Sequence, residues 1–343
     1  MTITVIKPGA FSQLQDLGRY GYQRFGVLVG GAMDEWSHRF ANALVGNDEN
    51  QATMEITLIG PSLRFDRATT IAVCGADLSP RLDGAGGTHA LPHGRPVLVA
   101  AGSELRFGAR VSGARAYLAV QGGFDVPLVM GSRSTYVRGG FGGFEGRALR
   151  SGDVLPVGTA QTRGAPDAVA AKESAASDRA ALTLSVPAVP IVAPAAAPAP
   201  VQTIRIIAGR HWDVFTREAR GLLLDGEFQL GAQSDRMGYR LEGPPLSRAR
   251  QVEMISEAVT FGTIQVPPDG MPIILMADRQ TTGGYPKIAN VTSVDLRLLA
   301  QMAAPQALRF ELIPLADAQR IYLAREREYS HVKQVLERWR HEG

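Results

Sequence analysis

The chain has 343 residues, about twice the usual length of a single domain, and its 45% apolar and 20% charged residues are typical of a globular protein. Its 36 basic and 33 acidic residues give a net charge of +3, too small to indicate a nucleic-acid-binding surface. No apolar run reaches the roughly 18 residues of a membrane span. The residues from Met1 to Thr4 lack the features of a signal peptide. We therefore expect a cytoplasmic protein with no membrane or nucleic-acid partner.

Glycine and proline are abundant, whereas cysteine is nearly absent. The 38 glycines and 21 prolines favour many turns and short strands, which is typical of a β-rich protein. The single cysteine, Cys74, excludes an internal disulfide and a cysteine-based zinc site. His89 and His93 have the spacing of a helical zinc pair, but Pro92 and the nearby glycines disfavour a helix. We predict a loop there and no metal site.

Residues 159–202 form the clearest boundary in the chain. Alanine and proline dominate this stretch and no aromatic residue lies within it, so we predict a flexible tether. On its two sides the same signals recur in the same order and with similar spacing: Met54 and Met254, Asp77 and Asp278, and Leu105-Arg106-Phe107 and Leu308-Arg309-Phe310. This recurrence predicts an internal duplication, with a first β domain over 1–158 and a second over 203–314.

Two helices are predicted from periodicity and capping. Asp34 is a good N-cap, Trp36, Phe40 and Leu44 share one helical face, and Gly46 supplies a left-handed stop. Residues 315–343 form the second, an amphipathic C-terminal helix. Its predicted core-facing side chains are Tyr322, Tyr329, Val332, Leu336 and Trp339.

The densest group of polar side chains follows an apolar strand that ends at Ala277. It comprises Asp278, Arg279, Gln280, Thr281, Thr282, Tyr285 and Lys287, and the polar stretch from Gln265 to Gly270 precedes the strand. The two glycines within this loop, Gly283 and Gly284, allow its backbone to approach a ligand closely. Its amide and hydroxyl groups suit a small polar substrate with carbonyl and N–H groups, such as a lactam or a urea. We predict a binding or catalytic loop here.

A second candidate site is Ser132, Arg133 and Ser134, whose hydroxyls and guanidinium are good donors for a carboxylate or phosphate. A simple polar turn explains these three residues equally well. The glycine-rich run 139–147 lacks the Gly-Lys-Ser/Thr ending of a phosphate-binding loop, so a mobile loop over a cleft is the more economical interpretation.

Taken together, these motifs resemble the biotin-dependent carboxyltransferase / allophanate hydrolase subunit 2 family, which includes the C-type subunit of 5-oxoprolinase and a Kip-type antagonist of a sporulation kinase inhibitor. The segments that carry the resemblance are 15–19, 31–34, 41–47, 131–135, 234–238 and 278–285. The resemblance implies a mostly β fold with two cyclophilin-like β-barrel domains. It also implies a partner chain, the B-type subunit similar to allophanate hydrolase subunit 1, that completes the active site.

The activity implied by the resemblance is that of the C-type subunit of an ATP-dependent 5-oxoprolinase, which opens 5-oxoproline to glutamate. A LamB/YcsF-type chain, the A-type subunit of that enzyme, is then a further partner, and the ATP site is shared with or carried by a partner. The alternatives are a carboxyltransferase acting on urea or a related amide, or a regulatory protein that only binds a kinase-inhibitor partner. Because the chain has no Met-Lys-Met sequence, any biotin would arrive on another chain.

Both reactions act on an amide-like N–C=O group, and this chemistry suggests roles for the loop residues that family membership does not fix. Asp278 would orient or deprotonate a substrate N–H, while Lys287 or Arg236 would balance transferred charge. The side chains of Gln280, Thr281, Thr282 and Tyr285 would act as donors to a carbonyl oxygen that gains negative charge.

Overall fold

The computed structural model describes residues 1–84, 87–159, 181–183, 199–250 and 254–342. Backbone contacts divide the chain into two units: Met1–Gly18, Asp34–Ala197 and Glu328–Gly343 form the first, and Arg19–Met33 with Pro198–Arg327 form the second. The predicted boundaries placed residues 19–33 in the first domain. In the structure Met33 belongs to the apolar core of the second unit, so this segment follows its packing rather than its position in the sequence.

The first unit contains two six-stranded antiparallel sheets. Their strand orders are β11-β1-β4-β9-β6-β7 and β12-β8-β5-β10-β3-β2. The strands are β1 Thr2–Lys7, β2 Phe11–Gln15, β3 Thr53–Thr57, β4 Ser62–Phe65, β5 Thr69–Asp77, β6 Arg81–Gly84, β7 Gly87–Ala90, β8 Val97–Val99, β9 Glu104–Arg106, β10 Ser112–Val120, β11 Val154–Pro156 and β12 Ala181–Thr183. Alternating residues of both sheets, among them Ile3, Leu63, Val73 and Leu118, share one apolar core.

Helix α1, Glu35–Val45, has the predicted bounds and caps. The Asp34 carboxylate accepts a hydrogen bond of 3.0 Å from the backbone N–H of Ser37, and Gly46 has a left-handed φ of 79°. A cap of this kind stabilises a helix by about 1 kcal/mol. Phe40 and Leu44 are buried on the predicted apolar face. The helix prediction is confirmed.

The second unit is a closed seven-stranded barrel with the strand order β13-β20-β17-β18-β15-β14-β21, and β21 runs parallel to β13 where the barrel closes. Its strands are β13 Val201–Ala208, β14 Phe228–Leu230, β15 Gly238–Glu242, β17 Thr263–Gln265, β18 Ile273–Leu275, β20 Lys287–Val291 and β21 Ala307–Leu312. Every second residue fills the interior, as Ile204, Ile206, Tyr239 and Leu241 show.

Short elements surround this barrel. Two-residue strands β16 Glu257–Ala258 and β19 Thr282–Gly283 pair with each other in an antiparallel ribbon. Helix α2, Arg217–Asp225, buries Ala219 and Leu223 on one face, and helix α3 spans Leu296–Ala300. Single 3-10 turns occur at Gln23–Phe25 and Trp212–Val214.

Helix α4, Leu315–Glu342, confirms the predicted C-terminal helix. Tyr329, Val332 and Leu336 are buried as predicted, and Trp339 is partly buried. Tyr322 was predicted to face a core, but its side chain is 44% exposed. The reason is local: in the first turns of the helix the apolar side chains line an open groove beside Val291 instead of entering a core.

The mostly β class with few helices is confirmed. The structure also shows that β13 and β21 pair directly, whereas their counterparts in the repeat, β1 and β9, both flank β4. Within the predicted tether, Ala181–Thr183 form β12, which pairs with β8 along its whole length. The rest of the predicted tether, apart from 159 and 199–202, lies outside the described residues. Among the helices that the structure describes, none is long and apolar enough to cross a membrane.

Candidate functional site

The loop predicted to be functional starts with a buried ion pair. Asp278 follows β18, and its backbone N–H donates to the carbonyl oxygen of Arg236 over 2.8 Å. The Asp278 carboxylate accepts two hydrogen bonds from the Arg236 guanidinium, both of 2.9 Å, and Arg236 Nη2 also donates to the Gly31 carbonyl at 2.7 Å. This bidentate arrangement fixes both side chains. Each carboxylate oxygen keeps a lone pair for a further donor.

The loop ends at a second charged cluster around Lys287, which is only 6% exposed. Its Nζ donates to Glu257 Oε1 at 3.1 Å and to the carbonyl oxygen of Gly283 at 3.3 Å. His211 Nδ1 accepts from the Lys287 backbone N–H at 3.2 Å, and His211 Nε2 lies 3.5 Å from Glu257 Oε1. Arg210 Nη1 donates to the other Glu257 oxygen at 2.9 Å.

The charge states in this cluster follow from those contacts. The hydrogen bond from Lys287 lowers the pKa of Glu257, so this carboxylate stays ionised. Burial lowers the pKa of His211, against the opposing effect of Glu257. The imidazole is therefore neutral near pH 7, and because Nδ1 accepts a hydrogen bond from the Lys287 backbone N–H, the ring proton is on Nε2. The Lys287 side chain lies between a carboxylate and a carbonyl oxygen.

Two glutamines link the middle of the loop to the barrel. Gln280 Nε2 donates to Gln265 Oε1 over 3.4 Å, and Gln265 Nε2 donates to the carbonyl oxygen of Tyr285, also over 3.4 Å. A Cβ on Gly283 would lie 2.4 Å from Gln265 Nε2, so only glycine leaves room for that amide. The Val259 N–H donates to the Thr281 carbonyl at 3.2 Å.

The structure thus places the predicted residues of this loop in three environments. Asp278 and Arg236 form one buried pair, and Lys287 belongs to a separate cluster with Glu257. Gln280 and Thr281 are partly exposed between these two groups. Thr282 and Tyr285 are exposed, so their side chains reach solvent instead of the two charged groups.

The second predicted site has a different function in the structure, because its donors bind a carboxylate of the same chain. Ser132 Oγ and Ser134 Oγ donate to Asp16 Oδ1 at 2.7 and 2.6 Å, and the Arg133 backbone N–H donates to Asp16 Oδ2 at 2.5 Å. The Arg133 side chain donates to the Val126 carbonyl at 3.2 Å. Both serines are fully buried. A ligand anion would have to displace Asp16, so we do not include these residues in the candidate site.

The sequence interpretation missed two residues of the candidate site, Glu257 and His211, which complete the Lys287 cluster. Gln265 and Arg279 were part of the predicted polar group but received no role. In the structure Gln265 accepts a hydrogen bond from Gln280, and Arg279 lies inside the loop. A signal existed for Glu257, because it follows Met254 in the repeat as Glu55 follows Met54. His211 was interpreted as a structural histidine, since nothing in the sequence connects it with a lysine 76 residues further on.

Comparison with known proteins gives consistent matches. The family described as "Carboxyltransferase domain, subdomain A and B" matches residues 25–312. The C-type 5-oxoprolinase subunit of Haemophilus influenzae is 36% identical over 342 residues, covering 98% of this chain and 99% of the relative. Its counterpart of the same name from Escherichia coli is also 36% identical, with 98% of each chain covered.

Larger proteins contain a similar region as one part of their length. The urea amidolyase of Saccharomyces cerevisiae is 32% identical over 326 residues, which cover 92% of this chain and 17% of that protein. Among solved structures, the urea amidolyase of K. lactis has a TM-score of 0.82 at 29% identity, covering 97% of this chain and 20% of that chain. The Kluyveromyces lactis urea carboxylase has a TM-score of 0.81 at 28% identity, with 97% of this chain and 29% of that chain covered.

Proposed function

This chain belongs to the carboxyltransferase domain family, subdomains A and B, and we propose that it is the C-type subunit of an ATP-dependent 5-oxoprolinase. The observation that carries the proposal is the 36% identity to two proteins of that name, each matched over nearly its entire length. In the urea amidolyases the similar region is less than a fifth of the protein. The identity over nearly the full length of both relatives favours the 5-oxoprolinase component.

The charge of the candidate loop supports the same choice of substrate. Four cations lie in or beside the loop against two anions: Arg210, Arg236, Arg279 and Lys287, and Asp278 and Glu257. A net positive loop attracts an anionic substrate. The substrate 5-oxoproline carries a carboxylate, whereas urea is neutral.

The loop also offers groups that fit lactam opening. When water adds to the lactam carbonyl carbon and the C–N bond breaks, the carbonyl oxygen gains negative charge during attack and the ring nitrogen takes up a proton. Fixed donors stabilise such an oxygen. We assign the role of donor to the Lys287 and Gln280 side chains, and that of orienting the ring N–H to the Asp278 carboxylate. The hydrogen bonds that hold these three side chains support the assignment.

ATP and the partner chains belong to the same proposal. The glycine-rich run 139–147 lies in turns, and residues 148–159 that follow it form no helix, so this chain has no phosphate-binding loop in that segment. We therefore assign the nucleotide to the assembled complex. Its other members are a B-type partner similar to allophanate hydrolase subunit 1 and a LamB/YcsF-type partner.

Carboxyl transfer is the second candidate function. The family description and the urea carboxylase structure favour it, since both refer to that chemistry. In this case biotin arrives on another chain, because this one has no Met-Lys-Met sequence. The substrate is then urea or a related amide.

The deciding experiment measures turnover by the complex of this chain with both proposed partners. We expect ATP-dependent release of glutamate from 5-oxoproline, and a loss of about 100-fold or more in Lys287→Met and Gln280→Ala, because each removes a fixed donor. Arg309→Gln, an exposed change on β21, is the matched control and should keep full activity. A complex that produces no glutamate, but carboxylates urea when a biotin carrier is supplied, would support the second function instead.

A further inference from the structure

Arg279 is a partly buried cation without an ion pair in the described residues. The electrostatic effects of Tyr20 and of Asp278, which already pairs with Arg236, only partly offset its burial. The Nε of Arg279 is buried and has no acceptor, and its Nη1 lies 3.4 and 3.5 Å from the carbonyl oxygens of Ala277 and Met276. Both distances are long for hydrogen bonds. No carboxylate in the described part of the chain forms an ion pair with this guanidinium, whereas the guanidinium of Arg236 forms two hydrogen bonds to Asp278.

Such an arrangement is unfavourable in the free protein. Removing a guanidinium from water costs several kcal/mol unless an opposite charge or a full set of acceptors replaces the water. Burial accordingly lowers the pKa of Arg279. The ring of Phe261, whose centroid lies 5.8 Å from Arg279 Cζ, offers only a weak cation–π contact at the limit of that interaction.

An aromatic ring lies beside the Arg279 guanidinium. The hydrogen bond from the Val259 N–H to the Thr281 carbonyl keeps residues 259–261 beside residues 279–281, so Phe261 forms an apolar wall next to the cation. A guanidinium matches the two oxygens of a carboxylate with two parallel hydrogen bonds. One positive charge also balances one carboxylate.

We propose that Arg279 is the receptor for the carboxylate group of the substrate, so that the loop selects small carboxylated lactams over uncharged amides. The inference rests on the proposed function, because it assigns to Arg279 the group that 5-oxoproline has and urea lacks. Arg279 thereby determines specificity, while Gln280, next to it, and Lys287, at the far end of the loop, act on the carbonyl.

Binding measurements on the full chain in its complex test this assignment without turnover. The probes are 5-oxoproline and 2-pyrrolidinone, the same lactam ring without the carboxylate. We expect the wild-type complex to bind 5-oxoproline about 10- to 100-fold more tightly, which is the usual effect of hydrogen bonds to a charged group. In Arg279→Gln this preference should vanish, and in Arg279→Lys, which keeps the charge but not the planar fork, it should be partly retained.

Arg309→Gln is the matched control, because it removes an exposed arginine from the same barrel. It should leave the preference unchanged. Three results would each overturn the proposal: full preference in Arg279→Gln, no preference in the wild-type complex, or an Arg279→Gln chain that fails to fold. The last result counts because the folded state should not need an unbalanced cation. Preference without glutamate release would refute only the proposed function. Glutamate release with an unchanged preference in Arg279→Gln would refute only the role of Arg279.

Discussion

Lys287 and Glu257 form an ion pair in which the lysine side chain is buried. In Glu257→Gln the ammonium loses its carboxylate while the shape of the cluster is preserved, so we expect the free energy of unfolding to fall by about 1–3 kcal/mol. Lys287→Met should also lower the free energy of unfolding. The double variant should lose less of this free energy than the sum of the losses in the two single variants. Because Glu257 is 28% exposed, water screens part of the attraction and the coupling should be on the order of 1 kcal/mol.

Urea denaturation of the wild type, both single variants and the double variant measures this coupling. The pair between Arg106 and Glu104 is the control, because Arg106 is 55% exposed. Arg106→Met should leave the free energy of unfolding nearly unchanged. Strictly additive losses at Lys287 and Glu257 would show that the pair is not coupled.

His38 makes the stability of the first unit depend on pH. The imidazole is fully buried, where Nδ1 accepts from Thr53 Oγ1 at 2.8 Å and Nε2 donates to the Glu49 carbonyl at 2.9 Å. Burial lowers its pKa from 6.5 to about 4. The unfolded chain therefore binds more protons than the folded chain between these values. The stabilisation from the neutral form is complete above pH 6.5 and is lost as the pH falls to about 4.

We expect this group to reduce the free energy of unfolding by about 1.4 kcal/mol per pH unit across that window, or roughly 3 kcal/mol in total. Denaturant unfolding at a series of pH values from 4 to 7 measures the slope. His38→Gln should flatten the slope, whereas His89→Gln, at an exposed position of β7, should leave it unchanged. Equal slopes in all three proteins would exclude His38 as the source.

Asp278 and Lys287 were predicted as site residues because an apolar strand leads directly into a polar loop. That pattern is local and can be read from the sequence. It could not identify the partners of these residues. Glu257 lies 30 residues before Lys287, and Arg236 lies 42 residues before Asp278. Only the barrel closure brings them together. The serine motif shows the same limit, because its donors were visible in the sequence and their acceptor Asp16, 116 residues before Ser132, was not.

Helix α1 could be predicted to the residue because each of its signals is local. Asp34 caps it and Gly46 ends it within the helix's own sequence. Helix α4 was predicted with the right bounds. Periodicity alone, however, predicted that the apolar side chains along its whole length would be buried. Whether a stripe is covered depends on which element lies opposite, and this differs between Tyr322 and Tyr329.

Tyr329 should therefore contribute far more to stability than Tyr322. Its ring contacts those of Trp36 and Phe40 at 5.7 and 5.2 Å, and Arg39 lies over it at 4.0 Å. We expect Tyr329→Ala to destabilise the chain by about 3 kcal/mol or more, as for other buried aromatic residues. Tyr322→Ala on the same helix should cost no more than about 0.5 kcal/mol. Equal melting temperatures for the two variants would contradict this assignment of the buried face.

At the scale of the whole molecule, the sequence predicted the β class and two units. It did not predict which unit each segment belongs to. Residues 19–33 belong to the second unit because the Gly31 carbonyl accepts from Arg236 and Met33 enters that core. Neither contact has a local signal, since both depend on residues more than 170 positions away in the chain. The recurring sequence signals predicted the order of the strands along the chain. Which strands pair with each other depends on how each sheet closes.

The predicted tether offers a test at this scale, because three of its residues form a strand. Composition predicts that residues 165–180 bury little apolar surface, so their replacement by an equally long glycine-serine segment should leave the melting temperature within a few degrees. Extending the replacement to residue 183 removes β12 and exposes the edge of β8, whose Val97, Leu98 and Val99 are all buried. We expect this second variant to melt earlier and to aggregate on heating, because an unpaired apolar edge pairs with other chains. Melting curves and light scattering of the two variants, each compared with the wild type, measure the difference. Identical behaviour of the two variants would show that β12 contributes nothing to the sheet, and early melting of the first would show that residues 165–180 are part of the fold.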